Sequence, residues 1–206
     1  RARPEMAVLL RQEAGIAAAF LGDPPSPLDA ARAVLARDES QVRRDTVSVF
    51  NGPAPEIRIL DSQKEEIATV GAWLSERSKA GIAPHEFGVF VRSPAELDRA
   101  RAAVEKAGIA FKILDEHVET TGGHLSISTM HLAKGLEFRA VAVMACDDEI
   151  IPLQERIESV GDDSDLQDVY DTERHLLYVA CTRARDHLLV TSVAPASEFL
   201  DDLQQR

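Results

Sequence analysis

Cysteine is scarce: Cys146 and Cys181 are the only two in 206 residues, and each sits inside an apolar stretch. Buried free thiols fit this better than a disulfide framework or a metal site, which points to a reducing, cytoplasmic setting. The six histidines are scattered without the paired spacing a zinc site needs. Basic residues are in deficit too, with 23 Lys and Arg against 35 Asp and Glu, a formal net charge of −12. A free-standing module that grips nucleic acid by bulk electrostatics is disfavoured by that balance. Contact through one local surface of a larger machine is not. No apolar run approaches a membrane span, and the longest clean one, 140–146, has the length of a strand, so no membrane partner is expected. The chain opens on Arg1 without a signal peptide and reads as a fragment of something longer. There is no Gly-x-Ser-x-Gly nucleophile elbow, no internal repeat, and no phosphate loop of the Gly-x-x-x-x-Gly-Lys-Ser/Thr type. No lysine is followed by Ser or Thr.

What is present is a soluble composition, 45% hydrophobic and 28% charged, of a size for one domain plus an appendage. Residues 1–45 read as two helices, 1–21 and 28–37, and a polar linker: a helical appendage or the edge of a preceding domain. From Thr46 on, over 46–206, strands and helices alternate. Strands are expected at 47–50, 57–60, 87–91, 110–114, 125–128, 140–146 and 187–193. Ser62-Gln63-Lys64-Glu65 and Ser93-Pro94-Ala95-Glu96 read as capping boxes opening helices, the second ending at a left-handed Gly108. A further helix is expected over 172–185 and a closing one over 196–203. The acidic stretch 147–172 reads as a solvated loop. Such alternation predicts an α/β fold, a mainly parallel sheet covered by helices on both faces.

The chemistry concentrates in 125–138, where Thr129, His131, Lys134, Gly135 and Glu137 crowd between two buried-type strands. Ligands of α/β sheets bind outside the carboxyl ends of strands, although an ordinary loop would look similar. On the 172–185 helix, Leu176, Leu177, Ala180, Cys181 and Ala184 fall in an arc of about 140°. Arg183 sits about 20° beyond Leu176, at the edge of that stripe, where it must snorkel, pair with an acid or point into a cleft. The strand ending in Asp147-Asp148-Glu149 imitates a metal-binding NTPase carboxylate, but without a phosphate loop it cannot complete an NTPase site.

Two segments carry a resemblance. Ile127-Ser128-Thr129-Met130-His131-Leu132-Ala133-Lys134-Gly135-Leu136-Glu137-Phe138 resembles motif V of UvrD/Rep-type superfamily 1 DNA helicases. Glu173-Arg174-His175-Leu176-Leu177-Tyr178-Val179-Ala180-Cys181-Thr182-Arg183-Ala184-Arg185 resembles their motif VI. Phe87 to Ser93 is similar to a strand-plus-Arg-Ser segment of the same domain, and Asp148 to Pro152 to the acidic, Pro-ended stretch after motif V. The resemblance implies the second RecA-like motor domain of an ATP-dependent 3′–5′ DNA helicase. ATP and Mg²⁺ would be bound mainly by the N-terminal motor domain of the same polypeptide. Single-stranded DNA would be the other partner. It further implies that Arg183 is the arginine finger, that Glu137, Lys134 and Gly135 lie at the nucleotide, and that Thr129, His131 and Arg92 face the DNA. The family's Asn-Tyr-Arg-Ser segment has no counterpart here, and 115–124 is too short for the accessory domain of the larger helicases. Half an ATP site predicts that the fragment alone does not hydrolyse ATP. The alternative is a non-enzymatic helicase-like platform for binding or assembly.

Overall fold

Local signals explain most element boundaries. In the computed structural model, residues 53–204 are described apart from 117–118, 160 and 162. The helices expected at 1–21 and 28–37, the strand at 47–50 and the boundary near residue 45 lie outside the described residues. Helix α1 (Gln63–Lys79) opens where Ser62 Oγ accepts the Glu65 amide at 3.3 Å. The Glu65 carboxylate reaches back to the Asp61 amide at 3.1 Å, so the reciprocal cap forms one residue earlier than in the usual box. The second expected box does not form. Ser93 makes no side-chain cap, Pro94–Glu96 takes a tight 3-10 turn, and α2 (Leu97–Ala107) begins only after it. Proline at the first position suits that turn, since its missing N–H is not needed there. Gly108, at φ 70°, closes α2 as a left-handed cap.

Among the described residues, six strands form one sheet in the order β1-β6-β5-β2-β4-β3, and every neighbouring pair is parallel. They are β1 (Glu56–Leu60), β2 (Phe87–Val91), β3 (Phe111–Ile113), β4 (Leu125–Thr129), β5 (Phe138–Val143) and β6 (Ala184–Val193). β3 passes to β4 through 114–124 alone, with no room for a further domain. Both faces are covered, as the continuous apolar runs predict. Val89, Val91, Ile127, Ala140 and Ala142 meet Val70, Leu74, Ala100 and Val104 of α1 and α2. On the other face Phe90, Val141, Val143 and Val190 meet Leu177 and Ala180 of α4 (Asp163–Cys181) and Phe199 and Leu200 of α5 (Phe199–Gln204). The ring of Phe138, just before a register shift against β6, lies over Gly88, where an added Cβ would stand 2.6 Å from it. Both cysteines are free and buried. Burial pushes the Cys181 thiol up to about 12.

Two expectations about the last third need correction. The acidic stretch is not loop throughout, because α4 begins at Asp163, before the expected 172. Asp165 falls in its first turn, where the helix dipole favours negative charge. A short helix α3 (Gln154–Glu158) precedes it. At the other end α4 stops at Cys181 and β6 starts at Ala184, so Arg183 lies in the turn between them rather than on the helix stripe.

One polar network ties the α1/α2 face to the carboxyl edge of the sheet. Glu66 is fully buried; it pairs with Arg99 of α2, accepts the Thr191 hydroxyl at 2.6 Å and the Ala145 amide at 3.0 Å. Arg99 continues to Asp147 at 2.7 and 3.2 Å, and Asp147 accepts the Val193 amide at 2.7 Å. Asp147, which imitated a catalytic carboxylate in sequence, is therefore occupied in joining the ends of β5 and β6 to α2. Removing one partner of a buried ion pair leaves an uncompensated charge and costs about 3–5 kcal/mol. Glu66→Ala should lower unfolding free energy by about that amount, read from urea denaturation, and Thr191→Val by about 1–3 kcal/mol.

Candidate functional site

The segment 129–137 leaves the carboxyl end of β4 and re-enters the sheet at the amino end of β5, its parallel neighbour but one. Its ends must therefore lie on opposite edges of the sheet. The expected site residues separate accordingly.

At the carboxyl edge, Thr129 ends β4, half-buried, and pairs in register with Val91 of β2. A tight turn, Met130–Leu132, follows; Met130 is buried and His131 exposed. Arg92 comes directly after Val91, but it does not reach solvent. It is 2% exposed, and its Nε and Nη2 each donate to the Glu173 carboxylate at 2.5 Å. Glu173 is fully buried in α4 and also accepts the Arg156 Nη1–H at 2.8 Å and the Leu153 amide at 3.3 Å. Burial alone would raise its carboxyl. The hydrogen bonds and charge of Arg92, then Arg156 and the Leu153 amide, hold it below the usual glutamate range. His131 feels the same cluster: partial burial and the Arg92 charge push its imidazole down, with Glu173 partly opposing, which favours the neutral form of the ring. Arg92 is thus buried and held by Glu173, with two of its five N–H groups spent on that carboxylate.

At the amino edge, Lys134, Gly135 and Glu137 are exposed. Gly135 takes φ 83° with nothing within 4 Å of an added Cβ, so the glycine serves the backbone turn rather than close packing. Arg183 stands beside them. Its Nε donates to Val179 O at 3.1 Å, its Nη1 to Leu136 O at 3.2 Å and its Nη2 to the Thr182 hydroxyl at 3.1 Å. Its own carbonyl accepts the Phe138 amide at 2.9 Å. The guanidinium thus caps the Val179 carbonyl of α4 and staples the helix end to the loop before β5. Three of the five N–H groups of an arginine are used, which leaves two directed elsewhere. The structure brings Lys134, Gly135, Glu137 and Arg183 to one edge, and Thr129, His131 and the Arg92–Glu173 pair to the other.

Sequence reasoning missed Glu173 and Arg156. Glu173 was detectable: with Leu177, Ala180 and Cys181 it falls at i, i+4, i+7 and i+8 of one helix face, an acid on an apolar stripe that demands a cation. Arg156 on the short α3 offered no such signal. Among the described residues no group of three His, Cys, Asp or Glu side chains could hold a metal ion, and no helix is long and apolar enough to cross a membrane.

Residues 112–194 match the family model of the UvrD-like helicase C-terminal domain. The chain is 30% identical over 112 residues to DNA helicase II of Rickettsia typhi, covering 54% of this chain and 16% of that protein. To the ATP-dependent DNA helicase PcrA of Staphylococcus aureus it is 38% identical over 76 residues, 37% of this chain and 10% of the relative. The chain thus spans about a sixth or less of these relatives' length. Among solved structures, the C-terminal domain of a possible DNA helicase from Lactobacillus plantarum superposes with a TM-score of 0.56 at 20% identity, over 85% of this chain and 88% of that one. The resemblance read from the two motifs holds, and the fold is that of such a domain.

The Glu173 carboxyl has its folded-state pKa below its unfolded value, near 4.5. The stability it contributes is therefore complete above that value and is lost as pH falls through the folded-state pKa. Glu173→Gln should be less stable than the parent at pH 7, with the gap narrowing as pH falls from about 6 to about 3. Urea midpoints across that range check it.

Proposed function

With a UvrD-like helicase C-terminal domain over 112–194 as premise, we propose that the chain is the second motor half of an ATP-dependent 3′–5′ DNA helicase or translocase. One observation carries the reading: the segment 129–137 runs from one edge of the sheet to the other, and each end presents the groups one of two ligands would need. The amino edge offers cations, with exposed Lys134 and the two N–H groups of Arg183 not spent on Val179, Leu136 and Thr182. Glu137 can accept the hydroxyls of a ribose. The carboxyl edge offers a hydroxyl and a neutral imidazole, Thr129 and His131, suited to phosphate and sugar contacts that position a strand without reading its sequence.

ATP with Mg²⁺ supplies the phosphoryl group and the charge that the reaction must manage. The donor set here fits the polyphosphate and ribose. It lacks ligands for the metal, which are assigned to the N-terminal motor domain. In hydrolysis, water attacks the γ-phosphorus, the bond to the β–γ bridging oxygen breaks, and ADP and phosphate leave. Arg183 stabilises the negative charge developing on the transferred group, held in place beforehand by Val179 and Leu136 carbonyls so that little ordering remains to be done. Because Arg183 also grips the loop before β5, closure on nucleotide would load the same segment that ends in Thr129 and His131. That is how one domain would pass a nucleotide-driven shift to a DNA strand.

In the full-length protein, Arg183→Ala should reduce DNA-stimulated ATP turnover by about 10³-fold or more while nucleotide affinity changes little. Turnover within a few-fold of the parent would leave Arg183 a structural role alone, holding the end of α4 to the loop before β5. The 206-residue chain by itself, which lacks a phosphate loop, should show no DNA-stimulated ATPase, measured by phosphate release.

A further inference from the structure

Arg156 belongs to none of the recognised motifs, yet it is held as firmly as a site residue. Its Nη1 donates to Glu173 Oε1 at 2.8 Å, while its side chain stays 39% exposed. The helix that carries it is pinned at its start by the Leu153 amide on the same carboxylate, at 3.3 Å. Glu173 has one negative charge and serves two guanidiniums. The other, Arg92, is 2% exposed, so the uncompensated positive charge of the trio emerges at Arg156. Glu173 is its one partner among the described residues and takes one of the five N–H groups of the guanidinium, the side chain staying 39% exposed.

Position decides what that is. Arg92 follows Val91, and Val91 pairs with Thr129, so the Arg92–Glu173–Arg156 trio stands at the carboxyl end of β4 beside His131. The Arg156 charge is among those felt by the His131 imidazole. We propose that Arg156 binds a backbone phosphate of single-stranded nucleic acid, on the same edge as Thr129 and His131, with Glu173 as the anchor that orients it. This rests on the proposed reading of that edge as the nucleic-acid side. A pre-oriented, charged fork contributes here what Thr129 and His131 cannot, a full positive charge in a chain of net charge −12.

Counterion release gives a test that a merely structural arginine would not move. In the full-length protein, binding of a fluorescein-labelled oligothymidylate is followed by anisotropy across a salt series for Arg156→Gln, Arg156→Lys and a Thr129→Ala/His131→Ala double variant. Glutamine keeps a donor for Glu173 but loses the charge; lysine keeps the charge. Arg156→Gln should bind more weakly and flatten the slope of log K against log salt by about 0.7, the value of one single-strand phosphate contact. Arg156→Lys should restore the slope. An unchanged slope in Arg156→Gln, with weakened binding in the Thr129/His131 variant, overturns the inference and leaves the edge as read. Unchanged binding in both overturns the edge along with it.

Discussion

A single buried carboxylate carries much of this domain's geometry. Glu173 receives four donors: two from Arg92 at the end of β2, one from Arg156 on α3 and one from the Leu153 amide at the start of α3. Desolvating a carboxylate so fully is costly, and only paired charge with near-ideal hydrogen bonding compensates it. Few arrangements of α4, α3 and β2 satisfy that condition. The helix ending at Cys181 is therefore fixed in rotation relative to the carboxyl edge, and with it the turn from which Arg183 reaches the loop before β5. On the other sheet face Glu66 does the corresponding work for α1 and α2, through Arg99, Thr191 and the Ala145 amide. Each helical layer is thus registered on the sheet by one internal acid, while the apolar contacts around it supply attraction without direction.

Parallel topology explains why one stretch of sequence can serve two places. A connection between parallel strands must return from the carboxyl to the amino edge, usually through a helix. Between β4 and β5 the return is made by a tight turn and an exposed loop instead, 130–137. Being short, it cannot bury its backbone under a helix, and it leaves His131, Lys134, Gly135 and Glu137 exposed. It is tied down at its far end by Arg183, whose side chain takes the Leu136 carbonyl and whose own carbonyl takes the Phe138 amide. Economy of connection thus decides which side chains are exposed at each edge of the sheet.

The features that sequence made legible are those set by local rules. The apolar runs of β2, β4 and β5, the cap at Ser62 and the left-handed glycine at 108 depend on neighbours within a few residues, and the structure follows them. The failures share a cause as well. The second capping box competed with a proline-led 3-10 turn, and the acidic run, taken for solvated loop, met the dipole of a helix that begins earlier than expected. Arg183 was singled out through its place on a helix face that ends before reaching it; what holds it is a long-range pairing with Leu136. Arg92 was expected on the DNA side through the resemblance, whereas the partner that holds it, Glu173, is 81 residues away and left no local trace. Pairings across that distance leave no periodicity to read, except where an acid such as Glu173 interrupts an apolar stripe.

The acidic balance of the chain, which first weighed against nucleic acid, looks different once the charges are located. Its most buried acids do not face outward at all. Glu66 and Glu173 are fully buried and neutralised by arginine, and Asp147 is largely so. Net charge governs the field at distances beyond a Debye length, about 8–10 Å at physiological salt, whereas a phosphate in contact senses the groups within it. Around Arg156 those groups include a second arginine, the carboxylate the two share and the His131 imidazole. A domain can therefore repel polyanions at long range and hold one at a single edge. On the proposed reading of the chain as a motor half, weak non-specific attraction would leave a strand free to move, with contact confined to the edge joined through 129–137 to the side read as the nucleotide side.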